Sequence, residues 1–153
     1  MTAISPTDIY QANLDAVAQM VFSGDMSRLQ DLISVPLVIQ MADGSMQIDR
    51  LEDVVFMLAE QRDNLLNLGT TEYHRICVDA RFLDPAATQI SGRHKTYVMR
   101  GATYLLEPFI CEMNLTKDAA LWRVCLMRCH MKNSDYTVIG TGTRERLRPE
   151  RRN

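Results

Sequence analysis

Residues 90–113 read ISGRHKTYVM, then Arg100-Gly101, then ATYLLEPFICEM. Two runs rich in β-branched and aromatic residues flank a short turn signal, which predicts a long antiparallel hairpin at the centre of a sheet. A two-residue loop at Arg100-Gly101 pairs Met99 with Ala102 and sets His94 opposite Glu107. The next turn, at Thr116-Lys117-Asp118-Ala119, pairs Leu115 with Ala120, Cys111 with Val124, Phe109 with Leu126 and Glu107 with Arg128. The two registers are drawn independently. Together they gather Ile90, Phe109, Cys111, Met113, Trp122, Val124 and Leu126 on one face, and a slip of one residue would turn that set over. They also lay His94, Glu107 and Arg128 in one polar row across three strands. Pro108 cannot donate to a ladder and Arg-Gly is not a preferred type I′ pair, so a bulge would enter here first.

Working outward, Ser5-Pro6-Thr7-Asp8 starts a helix that runs to about Phe22. Ile9, Ala12, Ala16, Val17 and Met20 form its apolar face, with Asn13 in the middle and Tyr10 on the margin. A polar group inside such a stripe needs a partner or an aqueous cavity. Ser23-Gly24-Asp25 ends this helix and caps a short second one over residues 26–33. Residues 35–41 and 46–48 make a hairpin around Asp43-Gly44. Asp49 and Glu52 then cap a third helix that stops at Gly69. Its buried stripe is Leu51, Val54, Val55, Leu58, Leu65 and Leu66. Arg62 lies about 20° from Leu51 on the wheel, so it either snorkels past the helix end or meets an anion inside. Residues 71–83 form a strand whose even members, Ile76, Val78, Ala80 and Phe82, share the buried face, with His74 at the same face's end and Asp79 pointing away. Residues 120–132 form the last long strand, and residues 136–139 a short one. The tail, residues 144–153, holds five arginines and two glutamates and is expected to be solvated and frayed.

The whole is one domain over residues 1–143 followed by that basic tail. With 153 residues the chain can bury a core without staples. A net charge of -2 gives no pull toward nucleic acid or an anionic membrane. No apolar run reaches the length of a membrane span. The start, MTAISPTD, lacks a basic stretch followed by an apolar one, so a cytoplasmic location is expected. Cys77, Cys111, Cys125 and Cys129 form no CxxC pair and read as buried free thiols in a reducing compartment. The ten methionines suggest adaptable packing around a cavity. There is no zinc-ligand spacing, Gly-rich phosphate loop or Gly-x-Ser-x-Gly elbow, so neither metal nor cofactor is expected.

The order of elements is helix, helix, strand, strand, helix, then four strands, an α+β pattern with helices on one face of a sheet. Phe22-Ser23-Gly24-Asp25 leading to Leu29 and Leu32, Pro36 in the first strand, and Leu121-Trp122-Arg123-Val124 near the end extend the pattern. In these features the chain resembles the NTF2-like superfamily, its SnoaL-like branch in particular. The resemblance spans residues 6–132. It implies a cone in which three helices from the first half pack on a curved mixed or antiparallel sheet of about six strands around an apolar pocket. It also implies a homodimer formed through the outer sheet face. The isomerase-type members carry an aspartate early in the first strand, where this chain has Val35-Pro36-Leu37-Val38.

Two functions follow. In the first, a pocket for a small apolar ligand supports isomerase, dehydratase or cyclase chemistry. His94 and Glu107 then act as the catalytic acid–base pair, and Tyr10, Asn13, Arg62, Trp122 and Arg128 bind the ligand. In the second, the chain is a non-catalytic dimerisation or ligand-binding module of the same fold, and either Glu107 simply pairs with Arg128 or the row of His94, Glu107 and Arg128 lies on the dimer face.

Overall fold

A computed structural model describes residues 4–130 and 140–147. Helix α1, Pro6–Ser23, is capped by Ser5, whose hydroxyl accepts from the Asp8 amide at 3.1 Å, and it ends on Gly24 in the left-handed region at φ 76°. Helix α2 is one turn, Leu29–Leu32. Strands β1, Ile33–Met41, and β2, Gly44–Ile48, form the first hairpin. Helix α3, Leu51–Asn67, starts at Arg50 without a side-chain cap. The expected cap, Asp49, accepts instead from Gln47 at 2.7 Å.

Strands β3, Glu72–Phe82, β4, Gln89–Arg100, β5, Thr103–Tyr104, β6, Phe109–Asp118, and β7, Leu121–Cys129, follow. They join the first hairpin in one sheet of order β2-β1-β7-β6-β4-β3, with β5 on the end of β4. The β1–β7 pair is parallel and the others are antiparallel, so the sheet is mixed, as the α+β cone requires. Helix α1 lies across β3 inside the curve of the sheet, and the buried side chains of α1, α3, β1, β4, β6 and β7 form one core. Among the described residues no helix is long and apolar enough to cross a membrane.

The central hairpin exists, but its register differs from the expected one. Met99 pairs with Tyr104 rather than Ala102, and His94 pairs with Cys111 rather than Glu107. The loop sits one residue later, and the segment around Pro108 interrupts the ladder between β5 and β6. Both offsets are even, so inward residues stay inward: Ile90, His94, Cys111, Met113 and Leu115 are all buried. Two odd irregularities do turn side chains over. In β7 the pairing shifts at Cys125, so Val124 faces in, Leu126 and Arg128 face out, and Met127 and Cys129 return to the inside. In β3 the pairing shifts at Val78, so Tyr73, Arg75 and Cys77 face in, while Ile76 and Val78 are each 49% exposed on the outside.

The shift at Cys125 also overturns the reading of four free thiols. It brings Cys129 directly opposite Cys111, and the two form a disulfide with Cα atoms 4.6 Å apart. That is the spacing of a close antiparallel pair. Cys77 and Cys125 are free and half-buried.

Past the interval 131–139, helix α4, Thr141–Arg146, docks on α3. Glu60 accepts from the Gly142 amide at 2.8 Å and from the Thr143 amide and hydroxyl at 3.0 and 2.8 Å. Arg146 pairs with Asp53 at 2.5 Å and lies over the Phe56 ring. Residues 144–147, expected to belong to a frayed tail, are helical and docked through these contacts; the rest of that tail lies outside the described residues. The short strand expected at 136–139 lies outside the described residues. Replacing Glu60 by Ala removes the acceptor for three donors at the start of α4. It should lower stability by about 2 kcal/mol and raise amide exchange at Thr143 and Arg144 well above exchange in the sheet.

Candidate functional site

A cavity of about 50 Å³ lies between α1, α3 and the concave face of the sheet. Its wall is largely aliphatic and includes Met57, Met113 and Met127, with Asn13, Gln61, Tyr73 and Arg75 as its polar members. Arg75 was not anticipated from the sequence. The Val78 bulge sends it inward, where it is 6% exposed. Edge strand β3 is held there by Gln11 of α1, whose side chain donates to the Arg75 carbonyl at 2.8 Å and accepts from the Cys77 amide at 2.7 Å. An amide side chain thus satisfies ladder groups that an edge strand would otherwise leave open.

Behind Arg75 runs a buried polar chain. Its Nη2 lies 3.3 Å from His94 Nε2 and 3.5 Å from Met113 Sδ. Guanidinium nitrogens only donate, so His94 Nε2 accepts and the ring proton sits on Nδ1. Nδ1 then donates to the Tyr10 hydroxyl oxygen at 2.6 Å. Both Tyr10 and His94 are fully buried. Burial first, and the neighbouring Arg75 charge second, hold the His94 pKa down at about 2. Burial pushes the Tyr10 phenol above its ordinary value. The ring is therefore neutral at physiological pH, with both nitrogens engaged. Tyr10 fits because position 92 is glycine. A Cβ there would come within 2.5 Å of the Tyr10 ring and 3.0 Å of the Asp79 carbonyl.

The other expected site residues divide around this centre. Asn13 lines the cavity and is buried. Its amide nitrogen donates to the Leu32 and Trp122 carbonyls at 3.1 and 3.4 Å, and its Oδ1 has no partner among the described residues. Trp122 packs on Phe82 and borders a second, more open hollow on the far side of Asn13. Arg62 takes the snorkelling course: its Nε donates to the Phe22 carbonyl at 3.2 Å and closes the end of α1. Glu107 is exposed in the segment that interrupts the ladder, away from His94. Arg128 is on the outer face, where it pairs with Glu112 at 3.3 Å and donates to Gln40 at 2.8 Å. The expected row of His94, Glu107 and Arg128 is thus not assembled, and Glu112 takes the place foreseen for Glu107. His74 is exposed, and His130 sits beside Glu112. Among the described residues no group of three or more His, Cys, Asp or Glu side chains is placed to hold a metal ion.

The sign of the His94 effect on stability follows from its depressed pKa. An unfolded histidine takes up a proton near pH 6.5, whereas the folded ring stays neutral. The contribution is complete above that value and is lost as pH falls from about 6.5 toward 2, at ~1.4 kcal/mol per pH unit. Urea denaturation should show stability level near pH 7.5 and falling toward this slope between about pH 6 and 5, and His94→Asn should remove that part of the fall. Gly92→Ala should cost about 1–3 kcal/mol by displacing the Tyr10 ring.

No protein-family model matches the chain, and no curated protein matches it. Solved structures do. An NTF-2-like protein of unknown function from Shewanella oneidensis MR-1 aligns with TM-score 0.59 at 12% identity, covering 82% of this chain and 98% of that one. An NTF2-like protein with a cystatin-like fold from Novosphingobium aromaticivorans aligns with TM-score 0.57 at 9% identity, covering 87% and 88%. The Kfla4162 protein of Kribbella flavida aligns with TM-score 0.52 at 13% identity, covering 78% and 88%.

Proposed function

We propose that this chain, whose fold is NTF2-like, is a binding protein for a small molecule held between α1, α3 and the concave sheet. The observation that carries this reading is an apolar cavity with one buried guanidinium in its wall. Apolar lining with a few convergent polar groups is the usual make-up of a ligand site. At about 50 Å³ the cavity holds only a few water-sized groups, so the ligand is small. Met57, Met113 and Met127 give the wall some capacity to adapt.

The isomerase, dehydratase or cyclase reading needs His94 and Glu107 to work as a pair on a bound substrate. Glu107 is remote and exposed, and His94 is neutral and enclosed behind Arg75. The ligand-binding alternative drawn from the sequence is therefore the one adopted, with His94 and Tyr10 as residues that position Arg75. Membership of the SnoaL-like branch rests on the sequence resemblance alone. The Cys111–Cys129 bond favours an oxidising compartment over the cytoplasmic setting expected above.

The homodimer also remains part of this proposal. Ile76 and Ile110 flank Lys95 in one outward row, with Val78 and Tyr104 also exposed on that side. Such a surface favours a second copy. Sedimentation should give a dimer that Ile110→Asp converts to monomer, and a monomeric wild type would remove this part of the reading. For the pocket, ligand-observed NMR with short alcohols, ketones and amides should detect binding to the wild type. Val17→Phe, or Val124→Phe should the first fail to fold, fills the cavity and should abolish it. Unchanged binding in the filled variant would contradict the proposal.

A further inference from the structure

We infer that the ligand is a short-chain monocarboxylate whose carboxylate meets the Arg75 guanidinium and whose apolar chain lies along the methionine side of the cavity. The inference rests on the binding reading above and names its ligand class.

Arg75 is the starting point. It is among the few buried charged residues, at 6% exposure, and it lines the cavity. No aspartate or glutamate lies within ion-pair distance of it among the described residues, although five other arginines there pair with a carboxylate. Its side-chain contacts are a neutral imidazole and a thioether sulfur, both made through Nη2. A buried cation without a counter-charge is costly, and the cost falls when an anion enters beside it. Neutral His94 and the sulfur of Met113 fix the fork's position without neutralising its charge.

The donors left over select the anion. With Nη2 committed to His94 and Met113, Nη1 and Nε remain, and a carboxylate oxygen accepting from Nη1 makes a charge-assisted hydrogen bond with a single compensating charge. A phosphate dianion would bring more charge and more acceptors than one arginine can meet, and the polar lining beyond Arg75 is limited to Asn13, Gln61 and Tyr73. The rest of the wall is aliphatic, including Val17, Leu37 and Met127, and calls for a hydrocarbon tail. The small volume calls for a short one.

Calorimetric or NMR titration of the full chain with butyrate and with its neutral isostere butyramide separates the ideas. Butyrate should bind about tenfold more tightly or better, as expected when a charge-assisted pair replaces a neutral contact. Arg75→Met should bring the two affinities within about twofold of each other while butyramide still binds. Should that variant fail to fold, the wild-type ratio alone decides. Equal affinities in the wild type would overturn the carboxylate assignment and leave the pocket standing. No binding of either compound would overturn both. A preference retained in a folded Arg75→Met variant would place the anion site elsewhere and overturn the assignment.

Discussion

The contact between α1 and the sheet through Tyr10 and His94 sets the interior of this protein. A phenol and an imidazole enclosed in an apolar core are tolerable only when their polar atoms are paired. The 2.6 Å bond between them supplies that pairing, and it also fixes the height of α1 over β4. Gly92 is what lets the tyrosine ring lie so close to the strand. With the ring proton committed to Tyr10, the other nitrogen is left to accept from Arg75. Loss of the tyrosine hydroxyl would strand a buried donor on His94 and free the ring to turn, and Arg75 would lose its fixed position with it.

The fold was legible because the signals that specify it are local and redundant. Ser5 and Gly24 mark the ends of α1, Gly69 closes α3 with its amide on the Leu66 carbonyl, and alternation along residues 90–115 picks out the inward face. That alternation survived two misplaced pairings because each offset was even. The candidate site was less legible, because it depends on single-residue bulges at Val78 and Cys125. A bulge is one extra residue with no fixed sequence signature, and it inverts every side chain beyond it. Arg75, at an odd position of its strand, therefore drew no reading although it lies inside, and Arg128, drawn as a ligand residue, lies on the outer face. Exposed Ile76 and Val78 strengthened the error, since apolar residues on an outer sheet face look like core. Asn13 was readable for a different reason. A lone amide within the apolar stripe of a helix marks a place where the backbone or a cavity must meet it, and here both do.

The same arrangement is the reason the proposed function gives His94 a positioning role although its residue type suits proton transfer. A general base must reach the ligand and have a proton affinity near neutrality. His94 meets neither condition, being enclosed and held far below its ordinary pKa. What it can do is orient a cation. On the proposed reading the chemistry of the cavity is that of recognition, with one charge in an apolar wall, and its selectivity comes from the penalty of leaving that charge unmatched.

The tautomer of His94 tests this account most directly, and nitrogen-15 NMR of the imidazole in the folded protein at neutral pH reads it. The geometry requires a neutral ring with the proton on Nδ1 and an unprotonated Nε2 accepting from Arg75. A ring protonated on Nε2, or on both nitrogens, could not accept that bond and would contradict the account.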